Sequence, residues 1–140
     1  MAVGQVSIAK NIPGRITDSQ VLQLLKTGEV DHRYLLYFKQ QSNISDELLS
    51  SWFNLNVKTF RNYKNNSNDL NDNLKEQIIL LVSLFKHGTA VFGSEEKFSD
   101  WLKRGNFFFD GDEPISFLKT ITGIRFIEDR ITAIEYGDNV

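Results

Sequence analysis

The 140-residue sequence has no cysteine, two prolines and one methionine. Without cysteine there is no disulfide framework, thiol nucleophile, thiolate zinc site or iron–sulfur cluster. The apolar runs are short, as at residues 78–82, and none approaches the roughly 20 residues that a membrane-spanning helix needs. Residues 1–10 lack a charged region followed by an apolar stretch, so no signal peptide is expected. The expectation is a cytoplasmic protein with no membrane contact. His32 and His87 are far apart in sequence and no HExxH spacing occurs, so no metal site is expected and each histidine is assigned to the surface. No GxSxG elbow, phosphate-binding glycine loop or dinucleotide fingerprint is present either. The paired carboxylates Glu95-Glu96 and Glu128-Asp129 fall where solvation explains them. Neither an enzyme nor a cofactor is expected.

The formal net charge of −2 at first argues against a nucleic-acid partner, but it conceals a split. Residues 1–88 carry ten basic and eight acidic side chains, a net +2, and residues 89–140 carry six and ten, a net −4. That asymmetry suits either two jobs or two ordinary solvated surfaces.

Helical periodicity dominates the chain. Residues 1–17 have no sustained period and read as a tail or arm. Asp18 or Ser19 could cap a short helix bearing Val21, Leu22, Leu24 and Leu25 and closed by Gly28. A second helix is expected over residues 30–40, with Leu35, Leu36 and Phe38 buried. Ser45 is suited to cap a third, burying Leu48, Leu49, Trp52 and Phe53. Asn54 suits a tight left-handed turn, and Asn56 can cap a fourth helix over residues 57–64. Residues 65–69 read as a polar loop. Leu74, Ile78, Leu81 and Phe85 mark one face of a long helix over residues 72–87, closed by Gly88. Ser94 caps the next, with Phe98, Trp101 and Leu102 inside. Pro114 opens a short helix through Leu118. A last helix carries Ile124, Ile127, Ile131 and Ile134 and stops at Gly137.

Residues 46–65 combine a short helix, a sharp turn and a second helix, which is the pattern of a helix-turn-helix. Leu49, Leu55 and Phe60 would pack the two helices, and the small Ser50 permits their close crossing. The outward positions are then Asn56, Lys58, Arg61, Asn62 and Asn65, with Lys64 near a DNA backbone. Arginine bonds guanine bidentately, asparagine does so with adenine, and lysine neutralises phosphate. Three basic and no acidic residues lie between Asn54 and Asn68, a local basic surface. The same polar residues would equally suit the solvated face of a packed helix.

From Gly28 onward, Leu48-Leu49, Phe53-Asn54-Leu55-Asn56 and Thr59-Phe60 resemble the Xre-like antitoxin helix-turn-helix. The succession Val91-Phe92-Gly93, Lys97, Trp101-Leu102, Pro114, Leu118, Gly123 and Ile134-Glu135-Tyr136-Gly137 resembles the Xre/MbcA/ParS toxin-binding domain. The resemblance covers about four-fifths of the chain. Together with the helical periodicity it implies an all-α fold: an Xre-like DNA-binding domain over 18–88 and a small helical toxin-binding domain over 89–140, after the aperiodic arm over residues 1–17. It also implies a type II antitoxin that neutralises a RES-domain, NAD-degrading toxin by occluding its active site. Autoregulation would run through operator DNA, with the chain as a homodimer or in a toxin–antitoxin hetero-oligomer.

The sequence departs from the family where Asn54 replaces glycine, Asn56 replaces serine and Glu113 replaces threonine. Asp112 is expected to take over the cap at Glu113, and the arginine-rich recognition helix is thinned to Lys58, Arg61 and Lys64. The toxin-contacting stretch maps to Glu128, Asp129, Glu135, Tyr136, Gly137, Asp138, Asn139 and Val140, whose acidity suits a basic active-site mouth. Phe107-Phe108-Phe109 cannot all face one way, so at least one meets solvent, a dimer partner or the toxin. The alternative function is a helix-turn-helix regulator without a toxin, its second domain serving dimerisation.

Overall fold

The computed structural model describes residues 8, 10–65 and 70–140. Among them it is all-α, with no strand. Helix α1 spans Asp18–Thr27, α2 His32–Ser42, α3 Asp46–Trp52 and α4 Val57–Asn65. Helix α5 spans Asp72–Phe92 and α6 Glu95–Leu102; two 3₁₀ segments, Phe107–Phe109 and Pro114–Phe117, lead to α7, Ile121–Glu135. Most of the expected loop over residues 65–69 lies outside the described residues.

Local hydrogen bonds set the helix ends. Thr17, rather than Asp18 or Ser19, caps α1, because it forms a reciprocal box with Gln20: each side chain accepts the other's amide, at 3.1 and 2.9 Å. Asp31 caps α2 by accepting the Arg33 amide at 2.9 Å, so that helix starts later than residue 30. Ser45 and Asn56 accept the Leu48 and Thr59 amides at 3.2 and 2.8 Å, and Asn54 adopts φ 57. At Glu113 no side-chain capping bond forms. Asp112 is held by its backbone instead, its amide donating to the Phe109 carbonyl and its carbonyl accepting from Asn106.

Helix α5 is the axis of the molecule, packed by α1, α2, α6 and α7. It is buried on nearly every side from Gln77 to Phe85, not along one face, as befits a helix enclosed by others. It also runs through Gly88 and ends four residues later, at Phe92, before the left-handed Gly93, φ 95. Gly88 is needed for packing rather than for termination, since the Phe98 ring lies against its Cα. One apolar cluster therefore runs continuously from Ile12 to Ile131 across this position.

Ile8 and residues 10–17 dock on this core. Ile8 and Ile12 are buried. The buried Ser83 hydroxyl donates to the Pro13 carbonyl at 2.7 Å and accepts the Ile16 amide at 2.9 Å. The side chain of Gln77 likewise donates to the Trp52 carbonyl at 2.8 Å, joining α3 to α5. Leu36 and Leu48, expected inside, are exposed, as is Leu22. Each directly adjoins a buried neighbour, and consecutive helical residues point about 100° apart.

His87 is a clear departure from expectation. It is buried rather than at the surface, because α5 continues past it and α7 packs alongside. Its Nδ1 lies 2.6 Å from Glu128 Oε2 and its Nε2 lies 2.8 Å from Glu135 Oε1. Both ring nitrogens thus face carboxylates.

Candidate functional site

Two surfaces hold the residues singled out from the sequence. The first is formed by α3, the turn over residues 53–56 and α4. Leu55 closes the turn by donating its amide to the Ser50 carbonyl at 2.9 Å, and the Phe53 and Phe60 rings stack at 6.1 Å. Ser50 is buried at the crossing. Asn56, Lys58, Asn62 and Asn65 are exposed.

The expected basic surface is largely neutralised here. Arg61 Nε lies 3.1 Å from Asp46 and its Nη2 3.4 Å from Glu47, while Lys64 Nζ lies 2.9 Å from Asp46. Lys39 adds a third cation, 3.3 Å from Asp46. The acids come from α3, outside the acid-free stretch of sequence, and only the fold brings them across. Burial acts to raise the Asp46 pKa, but Lys64, Arg61 and Lys39 together outweigh it and lower it to about 2. Among the described residues Lys58 is the α4 cation without an ion-pair partner.

The second surface follows α7. Glu128 and Glu135 turn toward His87 and do not stand as an acidic front. Burial, the largest influence, raises the Glu128 pKa against the opposing effects of His87 and Thr132. Asp129 is exposed. Tyr136 is exposed and its hydroxyl accepts from Arg15 at 3.2 Å. Gly137 takes φ 112 and turns the chain back toward α7. There Arg130 donates to the Asp138 carboxylate at 3.2 Å and to the Asn139 carbonyl. Asn106 donates to the Val140 carbonyl at 3.3 Å. Residues 138–140 thus line a cleft of about 840 Å³ opposite Phe107 and Phe108.

Residues 87–137, which include most of this second surface, match the family model of the antitoxin Xre/MbcA/ParS C-terminal toxin-binding domain. The chain carries an Xre/MbcA/ParS antitoxin domain. No curated protein matches the chain.

Within this toxin-binding domain the residues that carry the family pattern mostly build the fold. Trp101, Leu102 and Leu118 are buried, and Gly93 is the left-handed cap of α5. A side chain at Gly123 would collide with the Phe117 carbonyl. Sequence reasoning missed Arg130 and Asn106, which hold residues 138–140, and Arg15, which holds Tyr136. Arg130 did leave a signal: it lies between Ile127 and Ile131 on the apolar stripe of α7, where a cation needs an internal partner. Asn106 and Arg15 left none, because their partners are more than 30 residues away in sequence.

Among the described residues no single helix is long and apolar enough to cross a membrane.

Proposed function

We propose that this antitoxin neutralises a RES-domain, NAD-degrading toxin by occluding its active site with the segment that follows α7. The toxin-binding match over residues 87–137 carries the reading. Support comes from Tyr136, Asp138 and Val140, which are exposed yet held in place by Arg15, Arg130 and Asn106. A segment held in one conformation loses less entropy on binding than a free one. On this reading Asp129, Tyr136, Gly137, Asp138, Asn139 and Val140 meet the toxin, while Glu128 and Glu135 shape the scaffold through His87.

Autoregulation is assigned to α3 and α4 as a helix-turn-helix. A homodimer or toxin–antitoxin hetero-oligomer would present α4 to two operator half-sites about one helical turn apart. Asn56, Lys58, Asn62 and Asn65 face outward for base or phosphate contact, whereas Arg61 and Lys64 first answer to Asp46. The chain then acts in the cytoplasm, with toxin and operator DNA as its partners.

Co-expression with the adjoining reading frame tests the proposal. The expected result is a purified complex, with cellular NAD depleted by the neighbour alone and preserved when the antitoxin is present. An adjoining product that neither consumes NAD nor co-purifies would favour the toxin-free regulator. Deleting residues 137–140 should weaken rescue; undiminished rescue would remove that segment from the mechanism.

A further inference from the structure

Arg130 combines features that α7 alone does not explain. Its side chain is 8% exposed, and a buried cation is costly unless paired and hydrogen-bonded. Its guanidinium packs 4.0 Å from the centre of the Phe108 ring, and its Nη atoms hold Asp138 and Asn139. Its Nε, also buried, has no hydrogen-bond partner. One side chain therefore ties residues 138–139 to the 3₁₀ segment Phe107–Phe109.

Local bonds and turns fix the path of that segment. Asn106 accepts the Phe108 amide at 2.8 Å, and Asp110 and Gly111 leave it in left-handed conformations. Three residues per 3₁₀ turn separate successive side chains by about 120°, so Phe109 goes inward, against Trp101, Phe117 and Phe126. Phe107 is left 97% exposed. Nothing in the chain's own packing calls for a bare phenyl ring beside a buried, incompletely paired arginine.

We infer that Phe107 and Phe108, together with residues 138–140, form a single toxin-docking face, with Phe107 as its apolar anchor and Arg130 as the residue that positions it. The occupant follows from continuity: the 3₁₀ segment, Arg130 and the residues between them all lie within the matched toxin-binding domain. The inference rests on the antitoxin reading and adds a second strip, more than 20 residues upstream in sequence, to the segment after α7. The toxin surface it fits offers an apolar pocket for Phe107 next to a donor group for the Asp138 carboxylate, whose side chain is largely exposed. Aromatic anchors of this kind dominate protein interfaces.

The test measures affinity for the adjoining toxin, catalytically inactivated, by calorimetry on the full-length antitoxin. Phe107→Ser should weaken binding by roughly tenfold or more while the melting temperature holds, because the ring touches almost nothing in the free chain. Arg130→Gln should weaken binding through residues 138–140, so its effect should vanish in a chain already lacking them. Arg130→Lys, which keeps the charge but loses the fork, should recover only part of it. Wild-type affinity in Phe107→Ser, or an Arg130→Gln effect fully additive with the deletion, would overturn the inference while leaving the antitoxin reading standing. A wild-type chain that does not bind the toxin would overturn both.

Discussion

The ring of Phe98 stands against Gly88: a methyl group on that glycine would lie 2.3 Å from the ring's Cε1 and Cζ. The ring has nowhere to retreat. It meets Phe85 at 5.2 Å edge-on, Phe92 at 5.7 Å and Trp101 at 6.2 Å. Gly88→Ala improves local helix propensity, yet here it must push apart α5 and α6. The expected cost is about 1–3 kcal/mol, read as a lower midpoint in thermal or urea unfolding. Gly28→Ala is the control, since nothing lies within 4 Å of that position and only its left-handed φ of 72° opposes a side chain. A Gly88→Ala chain as stable as wild type would mean that the two helices can separate without loss.

Asp46 holds three cations with one carboxylate, and its side chain is only 15% exposed. Its pKa falls to about 2 from an ordinary 3.8. A depressed carboxylate stabilises the fold fully above the unfolded-state value, and the contribution disappears as pH falls through the folded-state value. The shift corresponds to about 2 kcal/mol at neutral pH. Asp46→Asn should therefore lower stability by about that much at pH 7. It should also flatten the wild-type loss of stability between roughly pH 4 and pH 2. Denaturant titrations across that range check both, and identical acid limbs in the two proteins would contradict the assignment.

The contrast between Asp46 and Asn54 marks what the sequence makes legible. Asn54, Asn56, Ser45 and Gly28 act through bonds spanning a few residues, so their roles are visible in local pattern. The apolar stripe of α7 is visible for the same reason: Ile124, Ile127 and Ile131 repeat at helical spacing and are buried. The pairing of Asp46 with Lys64 spans 18 residues and two helices, and that of His87 with Glu135 spans 48. Nothing periodic announces either. Sequence pattern alone puts the end of α5 at Gly88 for a related reason. Glycine serves equally as a left-handed cap and as a gap for a neighbour's ring, and only tertiary packing separates the two at Gly88. Local pattern accordingly says which residues face outward on α4, but not which of its charges are already paired.

His87 shows what such a hidden contact is worth. His87→Ala leaves the partly buried Glu128 beside Thr132, which donates at 3.1 Å, but without its imidazole partner. Removing one member of a buried pair costs about 3–5 kcal/mol; the exposure of Glu135 places this case at the lower end. Burial already raises the Glu128 pKa, and losing the histidine raises it further. A carboxyl with a raised folded-state pKa favours the fold when protonated, below its unfolded value of 4.5, and that advantage is lost as pH rises through the folded value. The His87→Ala penalty should therefore be greatest at pH 7 and shrink toward pH 4. A penalty constant over that range would show that the histidine matters for its volume and not its bonds.

If α4 reads DNA as proposed, its ion pairs also rank its cations for that binding. Arg61 and Lys64 must leave Asp46 and Glu47 before they can neutralise phosphate, so part of their gain in the complex is cancelled by the pairs they break. Lys58 breaks none. Lys58→Ala should weaken operator binding and reduce the slope of log K against log salt by about one unit. Arg61→Ala should change that slope by less, because its charge is compensated in the free protein. Asp46→Asn, which releases Lys64 and leaves Arg61 only Glu47, should steepen the slope and strengthen binding to unrelated DNA even as it lowers stability. Gel-shift titrations at several salt concentrations separate these outcomes. Equal losses from Lys58→Ala and Arg61→Ala would mean that Arg61 leaves its acidic partners at no cost and contacts the operator directly.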